Sequence, residues 1–447
     1  MTATIPVPGV ELPVAYEVDV LVVGGGPAGV GAAFAAARLG AKTMLVEQFN
    51  CLGGVATAGG HGHICLYSSW GASERIVGGV IWEMAERVTR AGYGVHSNSA
   101  TDFEVEGMKL VLEQMAGECG CHLLYHSFFA DTLVEDGRVT GAIIQNKNGR
   151  QAIRARRVVD CTGDGDVAAR AGCAYDVGDE ETGFCQPMTL MFTIGGVDHE
   201  KVKAFRKDDY QLAHVWKKAQ DDGFMRPFQS CIMGWWWTPT RPDQYGINFT
   251  HINHADSLKA EDLTRATREG RKQAYETIAV YRKYVPGMEN CYMVGTPNTV
   301  GIRESRRIRG EYRLVKADLL ARREFPDSIG YGSFFIDIHN TKGPGMDAKT
   351  HRPEKGFKYQ IPYRILVPRG VENLLVAGRC ASTDHEALGS LRVMPQCGVM
   401  GQAAGAAAVL SLRADVSPRQ VDVRALQGTL REQRCIVDAA DVKRANG

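Results

Sequence analysis

Three glycines and one glutamate near the amino terminus are spaced to hold a dinucleotide. Gly24, Gly26 and Gly29 form Gly-x-Gly-x-x-Gly within Gly24-Gly25-Gly26-Pro27-Ala28-Gly29, and Glu47 lies 18 residues beyond the last glycine. Gly24 allows a tight turn, Gly26 lets backbone amides approach a pyrophosphate, and Gly29 lets helix and strand pack closely. Pro27 and Ala28 open the helix, whose free N–H groups attract an anion. Glu47 would accept hydrogen bonds from the adenosine ribose, and its charge disfavours a 2′-phosphate. These residues alone do not separate FAD from NAD, since both carry adenosine diphosphate.

Other reactive residues have weaker patterns. His61-Gly62-His63 and His251-x-x-His254 suggest metal ligands, but neither has a placed carboxylate, so no metal is expected. Cys119-Gly120-Cys121 is not a Cys-x-x-Cys pair, and the 12 cysteines are scattered from Cys51 to Cys435, which points to reduced thiols. In an extended Trp235-Trp236-Trp237, the middle ring faces away from its neighbours, so at most one face serves a site.

The elements that position these residues begin with a β-branched run, Glu17 to Val23. A small-residue helix follows the glycine turn as far as Leu39, ending at Gly40, and a second strand covers Thr43 to Glu47. This βαβ order requires a parallel sheet covered on both faces. From His122 to Cys161, Asp136-Gly137 and Asn148-Gly149 mark hairpin turns of a β-meander. Residues 186–300 are aromatic and strand-like, with Met188 to Ile194, Trp235 to Trp237 and Tyr245 to Thr250, then a charged helix from Leu258 to Tyr284. Strand Asn373 to Ala377 and helix Gly398 to Leu412 return to the first unit. The expected fold is α/β: a Rossmann-like domain of parallel sheet plus meander over 1–185 and 301–447, interrupted by a β-rich α+β substrate domain over 186–300.

Composition narrows the function further. The 447 residues carry 52 Lys+Arg against 51 Asp+Glu, too balanced to hold a polyanion, so no nucleic acid partner is expected. No uncharged apolar run approaches the ~18 residues of a membrane span, and Met1 to Asp19 lack the basic and apolar regions of a secretory signal. A cytoplasmic protein without a membrane partner is the expectation.

The loop Leu52-Gly53-Gly54-Val55-Ala56-Thr57-Ala58-Gly59-Gly60, the turn Cys161-Thr162-Gly163-Asp164-Gly165-Asp166 and the closing stretch Leu374 to Gly405 give the chain a wider likeness. With Gly301-Ile302-Arg303-Glu304-Ser305-Arg306-Arg307 and Gly378-Arg379-x-x-Ser382-x-x-His385-Glu386, they resemble the FAD-dependent oxidoreductase family of glutathione-reductase-type flavoproteins, relatives of the fumarate reductase and thiazole-biosynthesis flavoproteins. The resemblance spans nearly the whole chain and is least clear over residues 200–300. It implies that Gly53, Gly54, Val55, Ala56 and Thr57 lie beside the pyrophosphate, ribityl chain and isoalloxazine, and that Thr162, Gly163 and Asp164 lie near the adenosine. Gly378 and Arg379 would sit near the ribityl and pyrophosphate, where many relatives have Gly-Asp. Met394 to Gly401 would bring a helix N-terminus to the flavin pyrimidine edge, favouring an anionic reduced flavin. Ala56-Thr57 stand where some relatives carry a flavin-bonding histidine, so FAD is expected to be non-covalent.

No second Gly-x-Gly-x-x-Gly unit is found over 186–300, so electrons are expected to pass between flavin and a small-molecule substrate. The reaction expected is hydride transfer at flavin N5, as dehydrogenation of a CH–OH or CH–NH carbon. Reduction of an activated C=C bond is the alternative, as is an electron-transfer subunit working with a partner protein; a homo-oligomer is left open. Such chemistry needs a proton-transfer group and a cation to anchor the substrate. His385 lies in the resemblance's flavin-contacting segment, His339 follows the aromatic strand Ser333 to Ile336, and His61 lies in the glycine loop. Arg303 and Arg392 would anchor a carboxylate or the flavin O2 side, or else pair internally with Glu304 or Glu386.

Overall fold

The computed structural model describes residue 9, residues 11–207 and residues 209–447. The reading made of residues 1–8 lies outside the described residues. Strand Val14–Val23 runs through the main sheet, with Val20, Leu21 and Val22 fully buried because both of its faces are covered. It ends at Gly24, whose φ is +97°; a Cβ there would lie 2.5 Å from the Cys161 carbonyl oxygen. Proline at its start opens the helix Pro27–Arg38, and Thr43–Val46 then pairs in parallel with Val20–Val23.

The sheet runs in the order His122–Leu124, Thr43–Val46, Val14–Val23, Gly149–Asp160, Arg138–Asn146 and Phe128–Glu135, and Leu374–Val376 also pairs with Gly149–Asp160. The last two strands of that series are antiparallel and form the meander, turning at Asp136 (φ 49°) with Gly137 and at Gly149 (φ 91°). Gly149–Asp160 is divided along one edge: its first half pairs with Arg138–Asn146, and Val158 to Asp160 pair with Leu374 to Val376.

Helix Met394–Arg413 lies against Pro27–Arg38 with backbone nearly touching backbone. A Cβ on Gly401 would fall 1.9 Å from the Ala28 carbonyl oxygen, one on Gly405 2.1 Å from that of Ala32, and one on Gly31 2.6 Å from that of Gly398. Only small residues allow this approach. Among the described residues no single helix is long and apolar enough to cross a membrane.

A second, antiparallel sheet has the order Gly234–Trp237, Tyr245–Asn248, Phe192–Gly195 and Tyr292–Gly295. Helices Ala213–Asp221 and Ala260–Tyr284 cover it, and Trp216, Phe249 and Tyr281 pack in a core separate from that of the main sheet. The strand expected over Met188 to Ile194 forms only from Phe192 onward. Met188 and Thr189 instead make isolated bridges, the first to Ile252 within the same stretch and the second to Gly301 just beyond its end. A third small sheet, His63–Cys65, Ala100–Phe103 and Gly94–His96, lies beside helices Gly79–Arg90 and Val105–Cys119, in a stretch for which the sequence analysis assigns no elements.

Filling the helix seam should destabilise the fold. Gly401→Ala and Gly405→Ala are each expected to cost about 1–3 kcal/mol in urea unfolding. Gly117→Ala, in an open helical position, should be neutral or stabilising by up to about 1 kcal/mol.

Candidate active site

The glycine turn opens onto a cleft of about 1000 Å³ that runs between the main sheet and the second unit, at the upper end of ordinary ligand pockets. One end is lined by Gly24, Gly26, Pro27, Ala28 and Glu47, with Thr162, Gly163 and Asp164 across from them. Glu47 Oε2 accepts from the Gly25 amide at 2.6 Å and Oε1 from the Phe49 amide at 2.9 Å. Burial nevertheless raises its pKa, and the carboxylate therefore holds the turn as well as facing the cleft. Asp160 shapes the opposite turn: it accepts from the Thr162 amide and hydroxyl and the Ala168 amide, and burial pushes it up to about 6. Arg379 Nη1 donates to Asp164 Oδ1 at 2.8 Å and to Ser305 Oγ at 2.6 Å, closing the wall beside Gly378.

Three features of this end fit FAD. A Cβ at Gly26 would meet nothing within 4 Å, so the space over that amide is free for a phosphate. Helix Pro27–Arg38 begins at the cleft with no side-chain cap, and so does helix Met394–Arg413, through Met394 and Cys397. Two positive helix ends therefore face one cavity, as a pyrophosphate and a flavin ring edge require. Gly54 and Val55 line the cavity between them.

Several residues of the sequence-derived set do not reach the cleft. Gly29 and Gly401 are packing positions, where a Cβ would strike Gly24 and Ala28 carbonyl oxygens. Gly53, Ala56 and Thr57 form the underside of the loop, with Thr57 Oγ1 donating to the Leu52 carbonyl. His385 also lies outside the cleft lining: it is 1% exposed, with Nδ1 2.9 Å from Glu304 Oε1 and Nε2 3.7 Å from Asp179 Oδ2. Burial opposes its charge, but the hydrogen bond and charge of Glu304 raise its pKa. Its motif places it near the cleft in sequence, yet the helix His385–Leu391 turns the ring inward.

His61, Arg303, His339 and Arg392 do come together, in a chamber that continues from the cleft. Arg303 is buried and donates from Nη1 to the Pro187 carbonyl at 2.7 Å and Thr189 Oγ1 at 2.6 Å. Burial and the Arg392 charge press its pKa down, but a guanidinium keeps its proton across the working pH range. Arg392 Nη2 donates to Asp337 Oδ2 at 2.8 Å, not to Glu386, and Asp337 Oδ1 lies 3.5 Å from His339 Nε2. Despite burial, His339 and the two guanidiniums hold Asp337 well below the usual carboxylate range. Burial and Arg303 lower His339 to about 4, and burial and the His63 charge lower His61 to about 3. The Nδ1 atoms of both rings are buried without a partner among the described residues. Both rings are thus neutral bases near pH 7.

Of the weaker patterns, Trp236 lines the chamber, while the His251-x-x-His254 pair lies outside its lining. His251 Nδ1 accepts from Gln229 Nε2 at 3.2 Å, and its ring centre is 6.0 Å from that of His339, whereas His254 sits apart against Phe184. Trp236 lies 4.7 Å from the His61 ring, and Trp235 faces the second core, as strand alternation requires. Among the described residues no group of three or more His, Cys, Asp or Glu is arranged to hold a metal ion.

A family model described as FAD dependent oxidoreductase matches residues 19–430. The chain is 28% identical over 203 residues to digeranylgeranylglycerophospholipid reductase 2 of Methanopyrus kandleri, covering 41% of this chain and 46% of that protein. It is 31% identical over 165 residues to thiamine thiazole synthase of Aeropyrum pernix, covering 34% and 57%. The chain thus spans about half the length of these curated relatives. Among solved structures, a geranylgeranyl bacteriochlorophyll reductase-like protein from Thermoplasma acidophilum has the same fold, with a TM-score of 0.50 and 15% identity over 94% of this chain and 84% of that one.

Gly26→Ala should separate cofactor binding from folding. Its methyl would project into the open cleft, so thermal stability should stay within about 1 kcal/mol of the parent while bound flavin, read from visible absorbance per protein, falls sharply. Gly29→Ala should lose both.

Proposed function

The chain belongs to the FAD-dependent oxidoreductase family, and on that premise we propose that it transfers hydride between non-covalently held FAD and a small organic anion. The direction we favour is removal of hydride from a CH–OH or CH–NH carbon. The observation that carries the reading is the charge around Arg303. Two guanidiniums, Arg303 and Arg392, share the single carboxylate of Asp337, and Arg303 has only neutral acceptors of its own. A buried cation without a full counter-charge is costly, so a substrate carboxylate completes the site.

FAD supplies the hydride acceptor when bound. The chain supplies the remainder: Arg303 anchors the anionic end of the substrate, Arg392 and Asp337 fix its surroundings, and a neutral ring takes the proton. His339 is favoured for that role because Asp337 fixes its Nε2 side and its Nδ1 is free; His61 is the other base facing the chamber. The aromatic and thioether wall of Trp236, Phe334, Phe335 and Met191 excludes water from the reacting carbon. Ala56 and Thr57 offer no ring nitrogen for covalent attachment, which supports non-covalent loading.

Reduction of an activated C=C bond is the second reading, favoured by the similarity to a reductase. It uses the same anchor with hydride moving the other way. Anaerobic mixing separates the two. Bleaching of oxidised flavin by 2-hydroxy or 2-amino acids supports dehydrogenation, and reoxidation of dithionite-reduced protein by an enoate supports reduction.

Arg303→Met should weaken substrate binding about 30-fold or more, the effect of removing one partner of a buried charge contact worth at least ~2 kcal/mol, as read from the substrate dependence of bleaching. Because His339 and His61 have pKa values near 4 and 3, the bleaching rate should be flat from pH 5.5 to 8. It should fall only in stronger acid, where the ring is already protonated and cannot take the substrate proton; a limb near the ordinary histidine value of ~6.5 would exclude both rings as the base.

A further inference from the structure

The chamber wall contains a reactive constellation that hydride transfer does not use. His63 and Cys65 are two residues apart on the strand His63–Cys65, so they share a face, and both line the chamber. Asp102, paired with His63 across the neighbouring strand, brings Oδ1 to 2.6 Å from His63 Nδ1. That contact fixes the ring: Nδ1 bears a proton towards Asp102, and Nε2 is the nitrogen left for proton exchange with the Cys65 thiol. Trp236 stacks on the His63 ring at 6.3 Å and holds its plane. On the far side, His63 and Asp102 border a separate recess of about 190 Å³ with Arg206 and Tyr210. Asp102 is 38% exposed there, which gives the pair a route for proton exchange with solvent.

We propose that Cys65, His63 and Asp102 form an activated-thiol site that captures a carbonyl carbon in the substrate chamber. The types and order are those of an activated nucleophile: a thiol, a base within reach, and a carboxylate that orients the base. His63 Nε2 takes the Cys65 proton, and the sulfur pair forms an S–C bond as the C=O π pair moves to oxygen. The oxygen then receives that proton from His63. The product is a hemithioacetal, nothing is oxidised or reduced, and reversal returns the free thiol. The site goes beyond the hydride-transfer reading and does not depend on it.

The charge surroundings agree. Burial opposes a charged His63, yet the Cys65 sulfur and the Asp102 carboxylate push it up to about 10. The other titratable or charged groups around the pair are His61 from the glycine loop, neutral near pH 7, the phenols of Tyr67, Tyr210 and Tyr245, all raised by burial, and Arg206 and His199 across the recess. None of these can replace Asp102 as the partner of the ring.

The test is iodoacetamide alkylation of the FAD-loaded protein between pH 6 and 9, followed cysteine by cysteine by peptide mass spectrometry. Cys119, Cys185 and Cys231, the other partly exposed thiols, serve as internal references. Cys65 should react about tenfold faster at pH 7 in the wild-type protein than in His63→Asn, the effect of removing the base that activates the thiol, with the reference rates equal in both as a check on folding. Glyoxylate, a small carbonyl anion, should protect Cys65 from alkylation. A Cys65 rate unchanged by His63→Asn would overturn the activated thiol. Lack of protection by glyoxylate would overturn the carbonyl assignment. Neither outcome depends on flavin reduction, so failure here is distinct from failure of the redox reading.

Discussion

The contact on which this site depends is backbone against backbone. Helices Pro27–Arg38 and Met394–Arg413 meet at Ala28 and Gly401, at Ala32 and Gly405, and at Gly31 and Gly398, too closely for any larger side chain at the glycines. That approach brings together two helix ends that are more than 360 residues apart in sequence. Gly26 and Met394 consequently line one cleft, and the electrostatic attraction of each uncapped end adds to that of the other. With a leucine in the seam the helices would separate, and the cleft would lose its shape before any residue facing it had changed.

Charge is then sorted along the cleft. The end near the glycine turn holds Glu47, Asp164 and the buried Asp160, which engage backbone amides, a hydroxyl and one arginine. The opposite chamber concentrates Arg303, Arg392 and the charged form of His63 around few carboxylates. Burial, and then the positive charge on His63 and Arg303, keeps neighbouring His61 and His339 neutral. Bases and cations thus coexist in one chamber because burial disfavours a charged ring and each cation adds to that.

The dinucleotide end was largely legible because its constraints are local. A glycine turn between strand and helix is specified by residues within a few positions of one another, and Gly24, Gly26 and Glu47 lie where that pattern implies. The chamber was legible in its residue types and not in their orientation. His385 and His339 had similar standing in the sequence, but helix His385–Leu391 turns one ring towards Glu304 while Asp337 faces the other into the cavity. His63 with Asp102 was out of reach, since their pairing depends on the register of two short strands 39 residues apart. The stretch Gly79 to Cys119 offered no motif, although its helices place Leu112 against Gly53 and Ile81 against Gly398.

The divided edge of strand Gly149–Asp160 has a consequence for synthesis. When this strand leaves the ribosome, the meander can pair with its first half at once, but the neighbour of Val158 to Asp160 is Leu374–Val376, across the 213 residues between Asp160 and Leu374. Until then an apolar sheet edge stays open. The second unit, with its own core, can close in the interval, and its bridge from Thr189 to Gly301 returns the chain to the waiting edge. By shortening the effective loop, the insertion lowers the entropy lost when the last strand docks. The order in which the chain emerges therefore matches the order in which its pieces can be completed.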